Sequence, residues 1–304
     1  MRTNGSFYKK ICCRVCESDN IKKALNLTPT PPGNNFIPEQ KLNTIEETFP
    51  LELDFCEDCY HIQLGHVVEP EFLFQNNYSY VSSTSKVFVE HLRNYANFIT
   101  ERINLTQKSF IIDIGSNDGT CLSFFKQKNM KVLGVDPAEQ VSEIANNNGI
   151  NTYNDFFNKD VALKIKEQHG QADLITSHNA CAHIDDLRGV IDGVDILMND
   201  ESVFVMEVGY FLDVFQNKWF DTIYHEHVDF HTVAPLKKLF EPYGMEIFDV
   251  ERIEPQGGSI RVMVQRKGGQ FEIEGNVDKL INLEHKFGLD KLETLKLFEN
   301  DINL

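Results

Sequence analysis

The chain has 304 residues, with 46 Asp and Glu against 29 Lys and Arg, for a formal net charge of −17. This length suits about two domains, and a 41% hydrophobic content is enough for an ordinary buried core. So acidic a surface repels phosphate backbones and argues against general nucleic-acid binding, and no apolar run approaches the roughly 18–20 residues of a membrane span.

The opening MRTNGSFYKKICC lacks the apolar stretch of a secretory signal, so a cytoplasmic protein with reduced thiols is expected. Five of the seven cysteines fall in the first 60 residues, four of them in two C-x-x-C knuckles, Cys13–Cys16 and Cys56–Cys59. Each knuckle offers two thiolates from one tight turn, and four thiolates suit tetrahedral Zn²⁺. Cys12 competes with Cys13 for the first position, and the two-residue gap favours Cys13. A disulfide or a redox dithiol would use the same residues, but a reducing compartment and two paired motifs favour zinc. A closed four-Cys site has no open coordination position, so this metal is expected to staple residues 1–69 into a module, leaving His61 and His66 outside its ligand set.

From about Ser83 to Ile103 the apolar spacing predicts an amphipathic helix. A βαβ rhythm then begins. Predicted strands cover Ser109–Ile114, Lys131–Asp136, Ala172–Thr176 and Ser202–Val208, and predicted helices cover Thr120–Lys128, Pro137 to about Asn147, and Asp185–Met198. This alternation implies an α/β fold with a doubly wound, mostly parallel sheet over about 70–270, with ligands at the carboxyl ends of the strands. A strand over Ile260–Gln265 and a last helix from Asn276 to about Phe298 close the chain.

Between the first strand and its helix lies Asp113-Ile-Gly115-Ser116-Asn117-Asp118-Gly119, and Asp136-Pro137 ends the next strand seventeen residues after Gly119. Small residues let a ligand approach the backbone, the helix start offers free N–H donors, and a carboxylate at Asp136 suits two ribose hydroxyls. The turn is G-x-x-x-G and lacks the middle glycine that admits a dinucleotide pyrophosphate, which weakens a nicotinamide reading. Two later segments are dense in titratable groups: Ser177–Leu187, containing Asn179 and His183, and Phe220–Val228, containing Tyr224, His225, Glu226 and His227. Neutral imidazole is a good general base near pH 7, and a phenol or imidazolium can hold an oxyanion. A second metal site from His225, Glu226 and His227 is the competing reading, since on a strand residues two apart share a face.

The Asp113–Gly119 and Gly134–Ala138 segments resemble the first two motifs of S-adenosylmethionine (SAM)-dependent methyltransferases. Together with the cysteine knuckles, Tyr78–Ser85, Asn179 with His183–Leu187, Phe220–Val228 and Gln256–Arg261, the chain from Cys13 to about Arg261 resembles the nucleotide-sugar C-methyltransferase family of the NDP-hexose 3-C-methyltransferase type. That resemblance implies structural zinc on Cys13, Cys16, Cys56 and Cys59. It implies SAM on Asp113, Gly115, Ser116, Asn117, Asp118, Gly119, Asp136, Pro137 and Asn179. It also implies a catalytic group of His227 as base with Tyr224, Glu226, His225 and His183 around it, acting on a nucleotide-linked ketosugar. Relatives continue into a further α/β domain, so 271–304 reads as the truncated start of one. A nicotinamide oxidoreductase and a non-catalytic zinc-bearing binding protein are the alternatives, and the sequence leaves the oligomeric state open.

Overall fold

The computed structural model describes residues 7–34, 37, 39–74, 80–254 and 257–302; Tyr78, Ser79 and Gln256 of the motifs above lie outside the described residues. Strands β1 (Phe7–Lys9), β2 (Ile21–Thr30), β3 (Phe49–Cys56), β4 (Ile62–Leu64) and β5 (His66–Val68) build the N-terminal region. They are followed by β6 (Phe110–Ile114), β7 (Lys131–Val135), β8 (Thr152–Tyr153), β9 (Ala172–His178), β10 (Met198–Gly209), β11 (Asp229–Phe230), β12 (Met245–Ile253) and β13 (Ser259–Arg266).

Seven of these form one sheet in the order β12-β13-β10-β9-β6-β7-β8. The run from β10 to β8 is parallel, and β13 lies antiparallel between β10 and β12. This is the doubly wound, mostly parallel sheet expected. Every residue of β6 is buried, as befits a central strand covered on both faces. The strand order reverses between β6 and β9, which opens a crevice at their carboxyl ends. The helix Lys86–Arg102 packs beside it through Leu92, Tyr95, Ala96 and Ile99, the stripe its period supplies, and the Ser85 hydroxyl caps it by accepting from the Phe88 amide.

Three differences from expectation stand out. Strand β8 and the helix Lys159–His169 precede β9, so Ala172 opens the fourth parallel strand and not the third. The helix Val233–Phe240 and strand β12 fill a stretch for which no element was predicted. The single last helix is two, Gly275–Lys286 and Leu292–Ile302, because Gly288 at φ +73° takes the left-handed conformation that ends a helix.

The N-terminal strands do not stand apart. β4 pairs with β11, so a four-stranded sheet of order β11-β4-β3-β2 takes its edge from residues 229–230, far along the chain. One apolar core runs from Cys13 and Val15 through β6 and β10 to Leu295 and Phe298. The helix Leu292–Ile302 lies on β2, where Glu299 accepts from the Asn26 amide at 2.8 Å. Glu284, buried, reaches the amides of Val233 and Ala234 at 2.7 and 3.2 Å and the Tyr210 hydroxyl at 3.0 Å. It thereby serves the free donors at the start of the helix Val233–Phe240, whose Thr232 side chain makes no cap bond.

Candidate active site

A cavity of about 750 Å³ occupies the crevice beyond the carboxyl ends of β6, β7, β9 and β10. Its floor is the turn after β6. Gly115 adopts φ +71°, and a Cβ there would meet the Cβ of Ala180 at 2.3 Å, so only glycine allows the loops after β6 and β9 to touch. Asp113 Oδ1 and Ser116 Oγ are buried there without a hydrogen-bond partner. Burial raises the Asp113 carboxyl to a pKa of about 7. Two unpaired polar atoms beside a glycine cradle are what a polar ligand would satisfy.

The other predicted binding residues divide. Pro137 and Asn179 line the cavity, Asn179 at φ +58°. Asp136 lines it too, with one oxygen accepting from the Asn117 amide at 2.8 Å and the other from the Ala138 amide at 2.9 Å. Asn117 lines it while binding the Ser82 amide and the Tyr80 carbonyl. Asp118 and Gly119 do not line it. Asp118 accepts from the Ser83 amide and from Thr120, and Gly119 packs against Ile150.

Tyr224, Glu226, His227 and His183 also line the cavity. The His183 and His227 rings meet edge to face at 4.9 Å. His227 Nδ1 lies 2.8 Å from the Thr222 carbonyl, so it is the protonated nitrogen, and Nε2 keeps its lone pair 3.3 Å from the Tyr224 hydroxyl. Burial lowers the pKa of His227 and takes that of His183 down to about 3, so both imidazoles are neutral near pH 7. Burial raises the Tyr224 phenol, which therefore keeps its proton, and raises the Glu226 carboxyl, which accepts from Asn34 at 2.8 Å. His225 is not among the residues lining the cavity. It packs on Phe49 with Nε2 3.3 Å from the Phe49 carbonyl, because the segment is a turn and not a strand. Among the described residues His225, Glu226 and His227 form no metal-ligand group.

The ligand sulfurs of Cys13, Cys16, Cys56 and Cys59 all lie within 4.8 Å of one another, with 3.5 Å from Cys13 to Cys59 and 3.6 Å from Cys16 to Cys56. Ligands of tetrahedral zinc stand about 3.8 Å apart, so the donor set fits that ion. Cys12 is outside the cluster, and His61 binds Asp229 at 2.6 Å instead.

One group escaped the sequence reading. Glu207 on β10 receives His91 at 2.7 Å, His178 at 2.9 Å and Arg261 at 2.7 Å, and His178 lines the cavity. The two histidines and the carboxylate have the spacing of a metal site, yet Arg261 already neutralises Glu207, and a dication beside a guanidinium would be repelled. Arg261 belongs to the Gln256–Arg261 motif, but its partner is 54 residues away, and no local pattern announces Glu207.

Three family models match the chain in succession: a zinc binding domain over residues 13–74, a methyltransferase domain over 67–250 and a C-methyltransferase C-terminal domain over 254–304. The C-methyltransferase NovU of Streptomyces niveus is 33% identical over 277 residues, which are 91% of this chain and 66% of that protein, so the chain spans just under two thirds of this relative. Among solved structures, the PH0226 protein of Pyrococcus horikoshii is similar with a TM-score of 0.49 at 10% identity, covering 62% of this chain and 95% of that one. Magnesium protoporphyrin IX methyltransferase of Synechocystis with bound SAM is similar with a TM-score of 0.45 at 12% identity, covering 59% and 79%.

Proposed function

The chain belongs to the methyltransferase-domain family, with a zinc binding domain match before that domain and a C-methyltransferase C-terminal match after it, and from that premise we propose that it moves a methyl group from SAM to carbon. The acceptor in this reading is a nucleotide-linked ketosugar, methylated at C3 beside a 4-keto group. The observation that carries it is the pairing, in one cavity, of the glycine cradle after β6 with a neutral imidazole whose Nε2 carries a lone pair beside the Tyr224 hydroxyl.

When bound, SAM supplies an electrophilic methyl group on a sulfonium. Asp113 Oδ1 and Ser116 Oγ have the capacity to hold its polar end, and Asp136 keeps a lone pair on each oxygen for ribose hydroxyls. A sugar C–H yields its proton only beside a carbonyl. His227 Nε2 takes that proton, with Nδ1–H fixed on the Thr222 carbonyl to set the tautomer. Tyr224, which keeps its proton, is the donor for the developing enolate oxygen, with the neutral His183 ring packed edge to face on His227 beside it. Holding the nucleophilic carbon in line with the methyl group is then a matter of placement.

None of the described residues lining the cavity is Lys or Arg, whereas Glu69, Asp185, Asp186, Asp221 and Glu226 are acidic. Such walls suit a sulfonium and oppose a diphosphate. This supports a pose with the sugar ring inside and the diphosphate beyond the mouth.

Calorimetry with SAM, repeated in buffers of different ionisation enthalpy, tests the donor site. Burial raises the Asp113 carboxyl towards neutrality, so part of it is protonated in the free protein, and a cation beside it favours the ionised form. Binding is therefore expected to release protons near neutral pH, and the release to shrink as pH rises. SAM binding with no buffer dependence counts against Asp113 as the contact. Absence of SAM binding, with deuterium retained beside the ketone of every ketosugar tried, rejects the function.

A further inference from the structure

Arg14 lies between the two cysteines of the first knuckle, and its side chain is fully buried. It points from the thiolate cluster towards the cavity. Its amide donates to Gln63 Oε1 at 2.8 Å, Nη1 donates to the Leu64 carbonyl at 3.0 Å, and Nε donates to Asp185 Oδ1 at 2.8 Å. Asp185 also receives the Tyr8 hydroxyl at 2.5 Å and the Lys10 ammonium at 3.1 Å. It lines the cavity two residues after His183. Arg14 Nε is also 4.0 Å from Asp229 Oδ1, which His61 meets at 2.6 Å, and Asp229 lies two residues after His227.

The two histidine segments are joined to each other and to the module by backbone bonds. The Val228 amide donates to the Ala182 carbonyl at 2.8 Å, and the Leu64 amide donates to the Val228 carbonyl at 2.9 Å. One guanidinium thus sits where the knuckle, β4 and both histidine segments converge. From one rigid plane the guanidinium holds the Asp185 carboxylate through Nε and the Leu64 carbonyl through Nη1, with Nη2 buried without a hydrogen-bond partner, and removing it leaves Asp185 to find other partners.

We propose that Arg14 is a positioning residue: it carries the geometry of the zinc knuckle through Asp185 and Asp229 to His183 and His227, so that the zinc module forms one wall of the acceptor site. This rests on the functional reading above for its kinetic consequences, but not for its structural ones.

The test uses the full chain loaded with zinc. Arg14→Gln is expected to retain zinc and to bind SAM within about twofold of wild type. Its kcat for deuterium washout from a ketosugar is expected to fall about 100-fold with a smaller change in KM, the cost of displacing a base by about an ångström. Arg14→Lys recovers only part of that rate, because an ammonium keeps the charge without the fork. In NMR spectra the ring signals of His183 and His227 should move in Arg14→Gln. Unmoved imidazole signals, or a wild-type kcat, overturn the proposal. Should Arg14→Gln fail to fold, Asp185→Ala removes the same contact from the cavity side with the knuckle intact, and wild-type washout there is equally fatal. If the wild-type chain washes out no ketosugar, the functional reading fails by itself, and the imidazole signals still decide whether Arg14 positions them.

Discussion

His227→Ala is expected to lower deuterium washout and methyl transfer by about 10²–10⁴-fold, the span contributed by a positioned general base, while SAM affinity stays within about twofold. The reason is geometric. His227 lines the cavity from the segment after β10 and not from the glycine turn, and its Nδ1–H is already engaged with the Thr222 carbonyl. Truncation therefore removes the Nε2 base without touching Asp113, Ser116 or Asp136. The same arrangement sets the pH profile. Burial lowers the His227 pKa below its ordinary value of about 6.5, so the active, neutral form is present at pH 7. The rate of washout should be flat near neutrality and fall as pH drops through the lowered pKa. A profile whose acid limb lies above the ordinary imidazole value, or wild-type washout in His227→Ala, removes His227 from the role of base. Isotope exchange of the acceptor followed by mass spectrometry, beside calorimetry with SAM, makes both measurements.

The second large effect concerns the metal. Cys56→Ala, or exhaustive chelation, should abolish ordered structure in β2, β3 and β4. Binding of structural zinc contributes about 10–16 kcal/mol, as much as the roughly 5–15 kcal/mol that holds a whole domain together. Hydrogen exchange is expected to become fast at Ile21–Thr30, Phe49–Cys56 and Ile62–Leu64 and to remain slow in the central strands Phe110–Ile114 and Ala172–His178. Because β4 carries β11 and the Val228 carbonyl, washout should be lost together with the module while SAM still binds. Retained protection of β3 and β4 without metal would mean that the apolar core alone holds the module.

Much of this architecture is legible in the residues themselves. The apolar run Phe110–Ile114 and the glycine turn after it predict a central parallel strand and a ligand crevice, and both are present because local burial and backbone conformation decide them. The four cysteines converge as their paired spacing suggests, since each knuckle is a local turn. What is not legible depends on distant partners. Strand β11 is only two residues long and exists by pairing with β4, so no periodicity marks it. The opposite facing of His225 and His227 follows from a turn between Ile223 and Val228 that seats His225 on Phe49, 176 residues earlier. Glu207 and Arg14 look like ordinary charges in the sequence, and their roles emerge only when the sheet and the module bring His91, His178, Arg261 and Asp185 around them.

The most direct measurement follows the methyl carbon itself. The protein, SAM labelled with ¹³C in its methyl group and a nucleotide-linked 4-keto sugar are incubated together, and the product is read by carbon NMR. The expected product carries a labelled methyl bonded to the ring carbon beside the ketone, with the hydrogen at that carbon lost to solvent. Label found on oxygen or nitrogen, or methyl transfer with that hydrogen retained, would contradict it.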